Sequence, residues 1–230
     1  MAKQAQENEG ALTALFFEME NAALGARGIR YEVLAGILKE QKIGLEPVEF
    51  SRWCLGMPEA YMAGLLKRKG YTAAAPEQVI ERLRGETLSR LMQKDCVIDD
   101  GLAGWLDAAA ARKMSIVAVT ALPQEAADGV AGRLHFEKWG VKVLSGGEGG
   151  KGYCHPESWI RAAKAAGRLP QSCLAVATGA GYAQAALTAG CAVVAVPDRF
   201  TEFEDFSGAM RVCGSLKELD FAECIRQSNY

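Results

Sequence analysis

The sequence predicts an α/β fold in three layers, a parallel sheet between helices, with a block of helices inserted after the first strand. Three observations carry this. From Asp99 onward, apolar runs of strand length alternate with helical stretches of about ten residues, the grammar of βαβ units. Between residues 25 and 94 the pattern is helical, without a convincing strand. One isolated apolar run, within "ALTALFFEMENAALGARG", stands before that block.

The elements follow in order. Ala11 to Phe17 form the first strand. In "RYEVLAGILKEQ", Tyr31, Leu34 and Leu38 recur at helical spacing, and Glu46-Pro47 opens a second helical segment before Trp53 and Leu55. "PEAYMAGLLKRKG" begins with a proline and stops at Gly70, and "APEQVIERLRGETLSRLMQK" spaces Val79, Ile80, Leu83, Leu88 and Leu91 between charges. "DDGLAGWLDAAAARK" then reads as helix and "MSIVAVT" as a buried strand ending at Thr120. Helix "LPQEAADGVAGRLHFEKWG", strand "VKVLS", the loop "GGEGGKG", helix "PESWIRAAKAAG", strand "CLAVAT", helix "GYAQAALTAG" and strand "CAVVAV" complete a Rossmann-like core. The expected division is a core of residues 1–24 and 95–230 and a helical cap of residues 25–94. "RFTEFEDFSGAMRV", near the end, reads as a surface loop or a contact site.

Bulk properties exclude several classes. The 230 residues are half apolar and 23% charged, with a net charge of −2, which gives no electrostatic argument for nucleic acid or a membrane surface. Seven cysteines without CxxC spacing read as free thiols in a reducing compartment. No apolar run reaches the roughly 18 residues of a membrane span, and "MAKQAQENEG" lacks a signal-peptide core, so the expectation is a cytoplasmic protein.

Ligands of parallel α/β sheets sit at the carboxyl ends of the strands. Those ends are Glu18 to Asn21, Thr120-Ala121, Ser145 onward, and Ala177-Thr178-Gly179. In order and content they resemble the haloacid dehalogenase superfamily, in particular its phosphatase and β-phosphoglucomutase-like branch with a helical cap after strand one. The resemblance spans nearly the whole chain. It implies a nucleophilic Asp and an acid/base Asp in a DxDG motif, a Thr or Ser on the phosphate, a Lys three residues before a Pro, and an acidic pair completing a Mg²⁺ site.

The frame is kept here and much of the chemistry is replaced. Glu18-Met19-Glu20 stands for Asp-x-Asp, with Asn21 in place of the glycine; Thr120 is present. The position three before Pro156 is Tyr153, although Lys151 lies two residues earlier, and Ala177-Thr178 replaces the acidic pair. A glutamate reaches roughly 1.5 Å further than an aspartate. A misplacement of about 1 Å can cost on the order of 100-fold in rate. By the resemblance, Glu18 would be the nucleophile and Glu20 the acid/base, while Thr120, Ala121 and Asn21, with Lys151, would hold phosphate. Glu18, Glu20 and Thr178 are what remains of the metal set, so no cofactor is expected, or Mg²⁺ if activity persists.

The expected function is a member with degenerate motifs, a binding or regulatory protein whose partner is a small phosphorylated ligand or another protein. One alternative is an atypical phosphohydrolase acting on a small phosphorylated metabolite. The other is a dinucleotide binder: Gly179-Ala180-Gly181 lies at a strand-to-helix turn, with Asp198 near the end of the next strand. "GGEGGKG" lacks the spacing of a phosphate-binding P-loop. His135 reads as structural, a Cys154-His155 nucleophile pair would need adjacent side chains to face one another, and the four tryptophans read as packing.

Overall fold

A computed structural model describes residues 12–54, 59–145 and 154–226. Six strands form one sheet in the order β3-β2-β1-β4-β5-β6, every neighbouring pair parallel. They are β1 (Ala14–Glu18), β2 (Ser115–Thr120), β3 (Lys142–Ser145), β4 (Cys173–Ala177), β5 (Ala192–Ala195) and β6 (Arg211–Val212). Central strands of such a sheet are covered on both faces, which is why β1 and β4 read as unbroken apolar runs.

The alternation of side chains along β1 sorts them between two cores. Leu15 and Phe17 join one, with residues of helices α6 (Asp100–Ala111), α7 (Gln124–Arg133) and α10 (Phe221–Arg226). Ala14 and Phe16 join the other, with α8 (Pro156–Ala166) and α9 (Ala180–Ala189). The three layers expected from the sequence are therefore present.

Between β1 and β2 lie a short helix, α1 (Met19–Leu24), and then α2 (Ala26–Lys39), α3 (Pro47–Cys54), α4 (Glu59–Arg68) and α5 (Pro76–Leu91). The last four share a core of their own, with Leu34, Leu38, Val79, Ile80 and Leu83 buried in it. Phe200, from the segment after β5, is buried in that same core, its ring 5.3 Å from Tyr31 and 5.1 Å from Phe50. The stretch read as a surface loop or a contact site thus anchors the insert through Phe200, and its end forms the edge strand β6. Gly25 turns the chain from α1 into α2 at φ 58°, a left-handed conformation that costs glycine little.

Two local readings are corrected. The helix expected to run through "GRLHFEKWG" stops at Arg133, and His135 sits at φ 54° before a 3₁₀ turn over Phe136–Trp139, exposed and 3.1 Å from Glu137. The residues after β1, read as a strand-end loop, begin α1 at once. Trp105, Trp139 and Trp159 are buried as read. No helix among the described residues is long and apolar enough to cross a membrane. Lys151, Tyr153 and the loop "GGEGGKG" lie outside the described residues.

Candidate functional site

The strand order reverses at β1, with β2 and β3 on one side and β4 to β6 on the other. A crevice at the carboxyl ends is expected at such a switch point. Glu18 is the last residue of β1, and Thr178 directly follows β4 beside it.

Because the helix starts at Met19, the two glutamates leave the strand in different directions. Glu18 turns toward β4. Its Oε1 accepts from the Thr178 backbone N–H at 2.7 Å, and its Oε2 accepts from the Thr178 hydroxyl at 2.7 Å and from the Asn21 amide at 3.3 Å. Glu20 turns toward β2, where its Oε1 accepts from the Ala121 N–H at 2.9 Å. Its Oε2 is buried without a hydrogen-bond partner among the described residues. The Thr120 hydroxyl accepts from Leu122 N–H at 3.0 Å. Of the expected phosphate set, then, Ala121 and Asn21 spend donors on the chain's own carboxylates.

The carboxylates and threonines are withdrawn from solvent, Glu18 and Thr120 fully and Thr178 and Glu20 nearly so, whereas Asn21 is half-buried and Ala121 exposed. Burial raises the Glu18 carboxyl to about 7, against the opposing pull of the Arg27 charge and of the bonds from Thr178 and Asn21. Burial raises Glu20 as well, and the groups that oppose it are hydrogen-bond donors with no cation among them.

Arg27, in the first turn of α2, is the residue that sequence reasoning missed. It is 3% exposed. Its Nη2 donates to the Thr178 hydroxyl at 3.1 Å, and its Nη1 lies 3.5 Å from the Thr178 carbonyl and is ion-paired with Asp198. The guanidinium also faces the Tyr182 ring at 5.8 Å. A signal was present: position 27 falls on the same helical stripe as Tyr31, Leu34 and Leu38, so its charge was bound for the interior.

The segment after β5 ties the same corner together. Asp198 Oδ1 accepts from Phe200 N–H at 2.8 Å, Thr201 Oγ1 donates to the Thr178 carbonyl at 2.7 Å, and Ala180 N–H donates to Glu204 at 2.7 Å. The features that suggested a dinucleotide are thereby engaged: the first amide after the Gly179 turn bonds Glu204, and Asp198 holds Arg27. His155 caps α8 by accepting from Glu157 N–H at 3.2 Å, away from any pairing with Cys154. Burial, then the Glu18 charge, push the Cys154 thiol up to about 11, where the nucleophilic thiolate is scarce at neutral pH.

The metal set does not fit a divalent cation. Hard cations need several oxygen ligands with lone pairs to spare. Glu18 directs both oxygens at Thr178, Glu20 points to another strand, and the positive charge among these groups is a guanidinium. Among the described residues no three His, Cys, Asp or Glu side chains gather as a metal-binding group.

No protein-family model and no curated protein matches the sequence. Solved structures do match in shape. A haloacid dehalogenase hydrolase (family IA, variant 3) from Entamoeba histolytica superposes with a TM-score of 0.78 at 16% identity, over 93% of this chain and 97% of that one. CbbY from Rhodobacter sphaeroides, in complex with phosphate, gives 0.73 at 14% identity over 94% and 99%. A haloacid dehalogenase family hydrolase from Deinococcus radiodurans, with bound phosphate and sodium, gives 0.74 at 20% identity over 93% and 96%. The chain has a haloacid-dehalogenase-like fold.

Proposed function

We propose that this chain is a haloacid dehalogenase superfamily protein that has left Mg²⁺-dependent aspartyl-phosphate chemistry and works as a cytoplasmic binding or regulatory protein. In this reading residues 25–94 are its cap, residues 1–24 and 95–230 its core, and the ligand is a small phosphorylated molecule or a protein partner. One observation carries it. The side chain at the nucleophile's address, Glu18, is fully buried, and both its oxygens accept hydrogen bonds from Thr178. A carboxylate must reach phosphorus in line to act as a nucleophile. Glu18 would have to give up these bonds first, in a site whose other carboxylate has turned away. Phosphate bound in two of the similar structures supports the choice of ligand class.

A second reading is favoured by Glu18 standing at the switch point with its proton midpoint near neutrality. It is an atypical phosphohydrolase with Glu18 as nucleophile, Glu20 as acid/base, and Thr120 and Lys151 on the phosphate. Hydrolysis of a panel of phosphate esters, with and without Mg²⁺, by wild type and Glu18→Ala decides between them. The binding-protein reading expects no turnover above the mutant. Turnover that disappears in Glu18→Ala installs the second reading.

A further inference from the structure

We propose that Arg27 is the resident cation of this site: its guanidinium, wedged between Glu18, Thr178 and Asp198, supplies the positive charge there and takes the room a divalent metal would need. This goes beyond the reading above and does not depend on it, since a fixed guanidinium could serve a binding site or a metal-independent reaction equally well.

The hydrogen bonds have a direction that supports this. Arg27 has only donors, so the Thr178 hydroxyl must accept from Nη2 and donate its own proton onward. It donates to Glu18 Oε2, while the Thr178 N–H donates to Oε1. Both bonds from Thr178 thus present a proton to Glu18, the pattern that suits an ionised carboxylate with a cation one hydroxyl behind it. On its other side the guanidinium is paired with Asp198, whose second oxygen is held by Phe200 N–H. A buried cation between two carboxylates is compensated in charge and bonded in a fixed fork, a role to which a planar guanidinium is better suited than an ammonium. Thr178 fits the arrangement as no acid would: a hydroxyl can accept from the guanidinium and donate to Glu18 at once, whereas an ionised carboxylate could only accept.

The test is direct metal binding by the full chain, read from the EPR signal of free Mn²⁺. Wild type should show no saturable Mn²⁺ site, whereas Arg27→Met, which leaves Glu18 and Asp198 without their shared cation, should bind Mn²⁺. A saturable Mn²⁺ site in wild type that Glu18→Gln abolishes overturns the proposal, and so does folded Arg27→Met that binds no more Mn²⁺ than wild type. If Arg27→Met does not fold, Arg27→Lys keeps a charge without the fork and should still bind no Mn²⁺; a site in that variant also overturns it. The two readings fail separately. Turnover of a phosphate ester without metal sinks the binding-protein function and leaves Arg27 in this role. Saturable Mn²⁺ binding without turnover does the reverse.

Discussion

Glu18 and Glu20 are separated by one residue, and both are buried, yet they sit in opposite kinds of surroundings. At the β1–β4 corner, Glu18 has donors on both oxygens and Arg27 behind them, and the segment from Asp198 to Glu204 braces the corner from outside. At the β1–β2 corner, Glu20 is bonded on Oε1 by the Ala121 amide, with Thr120 and Leu122 as its other polar neighbours, and its Oε2 has no hydrogen-bond partner among the described residues. A buried charge is tolerable when a third element supplies its partner and costly when none does. Here α2 and the segment after β5 both reach the first corner, and neither is bonded at the second. The tightened corner is the one where a nucleophile would have to be free.

The largest blow to that difference is Phe200→Ala. Phe200 is 1% exposed and joins the brace to the core of the insert. Emptying such a site costs about 3–5 kcal/mol, to be read from urea unfolding. Hydrogen exchange should speed up most in α2 to α5 and at Thr178, with β2 and β3 spared. Equal loss of protection in β2 would mean that the brace belongs to the whole core and the two corners are not independent.

Proton linkage compares the corners on a smaller scale. Glu18 holds its proton to about 7 when folded, so between the ordinary carboxylate value of 4.5 and 7 the folded state binds a proton that the unfolded state has lost. Glu18 should therefore make wild type lose stability as pH rises through that window, its own share being at most about 3 kcal/mol. Glu18→Gln should flatten that slope in denaturant midpoints measured across the window. Glu20 is raised too, so Glu20→Gln should also flatten the slope. Of the two substitutions Glu20→Gln should be the more favourable at the top of the window, because it replaces a buried acid without stranding a cation. Glu18→Gln should gain less there, since it leaves Arg27 short of a counter-charge. A larger gain from Glu18→Gln would remove the distinction drawn between the corners.

The sheet was legible because buried parallel strands announce themselves as unbroken apolar runs, and the insert helices because Leu34, Leu38, Val79 and Leu83 keep a helical period. β6 was not, since Arg211 and Val212 are both exposed and too few to show a period. Neither was α1, six residues long and begun without a side-chain cap. The addresses of Glu18, Thr120 and Thr178 could be read from the strand ends, but not which partner each would choose. That choice depends on Arg27 and on the segment after β5, which meet Thr178 across 151 and 23 residues of sequence. An acid-rich stretch such as "RFTEFEDF" looks like solvated surface until one knows that Phe200 is inside and Glu204 faces a helix end.

Glu204 offers the smallest and most local test. The first residue of α9 follows Gly179, which has no side chain to cap the helix, and Glu204 supplies the missing acceptor from another segment. Carboxylates are stabilising at helix N-termini, where amides lack partners and the helix dipole is positive. Glu204→Ala should therefore cost about 1 kcal/mol in urea unfolding, the ordinary worth of a cap. Combined with Phe200→Ala, it also asks whether the brace acts as one piece. If Asp198 to Glu204 dock as a unit, losing Phe200 already loosens Glu204, and the double mutant should cost less than the two single losses together. Strict additivity would mean that each residue holds its own contact and that the corner is fastened at separate points.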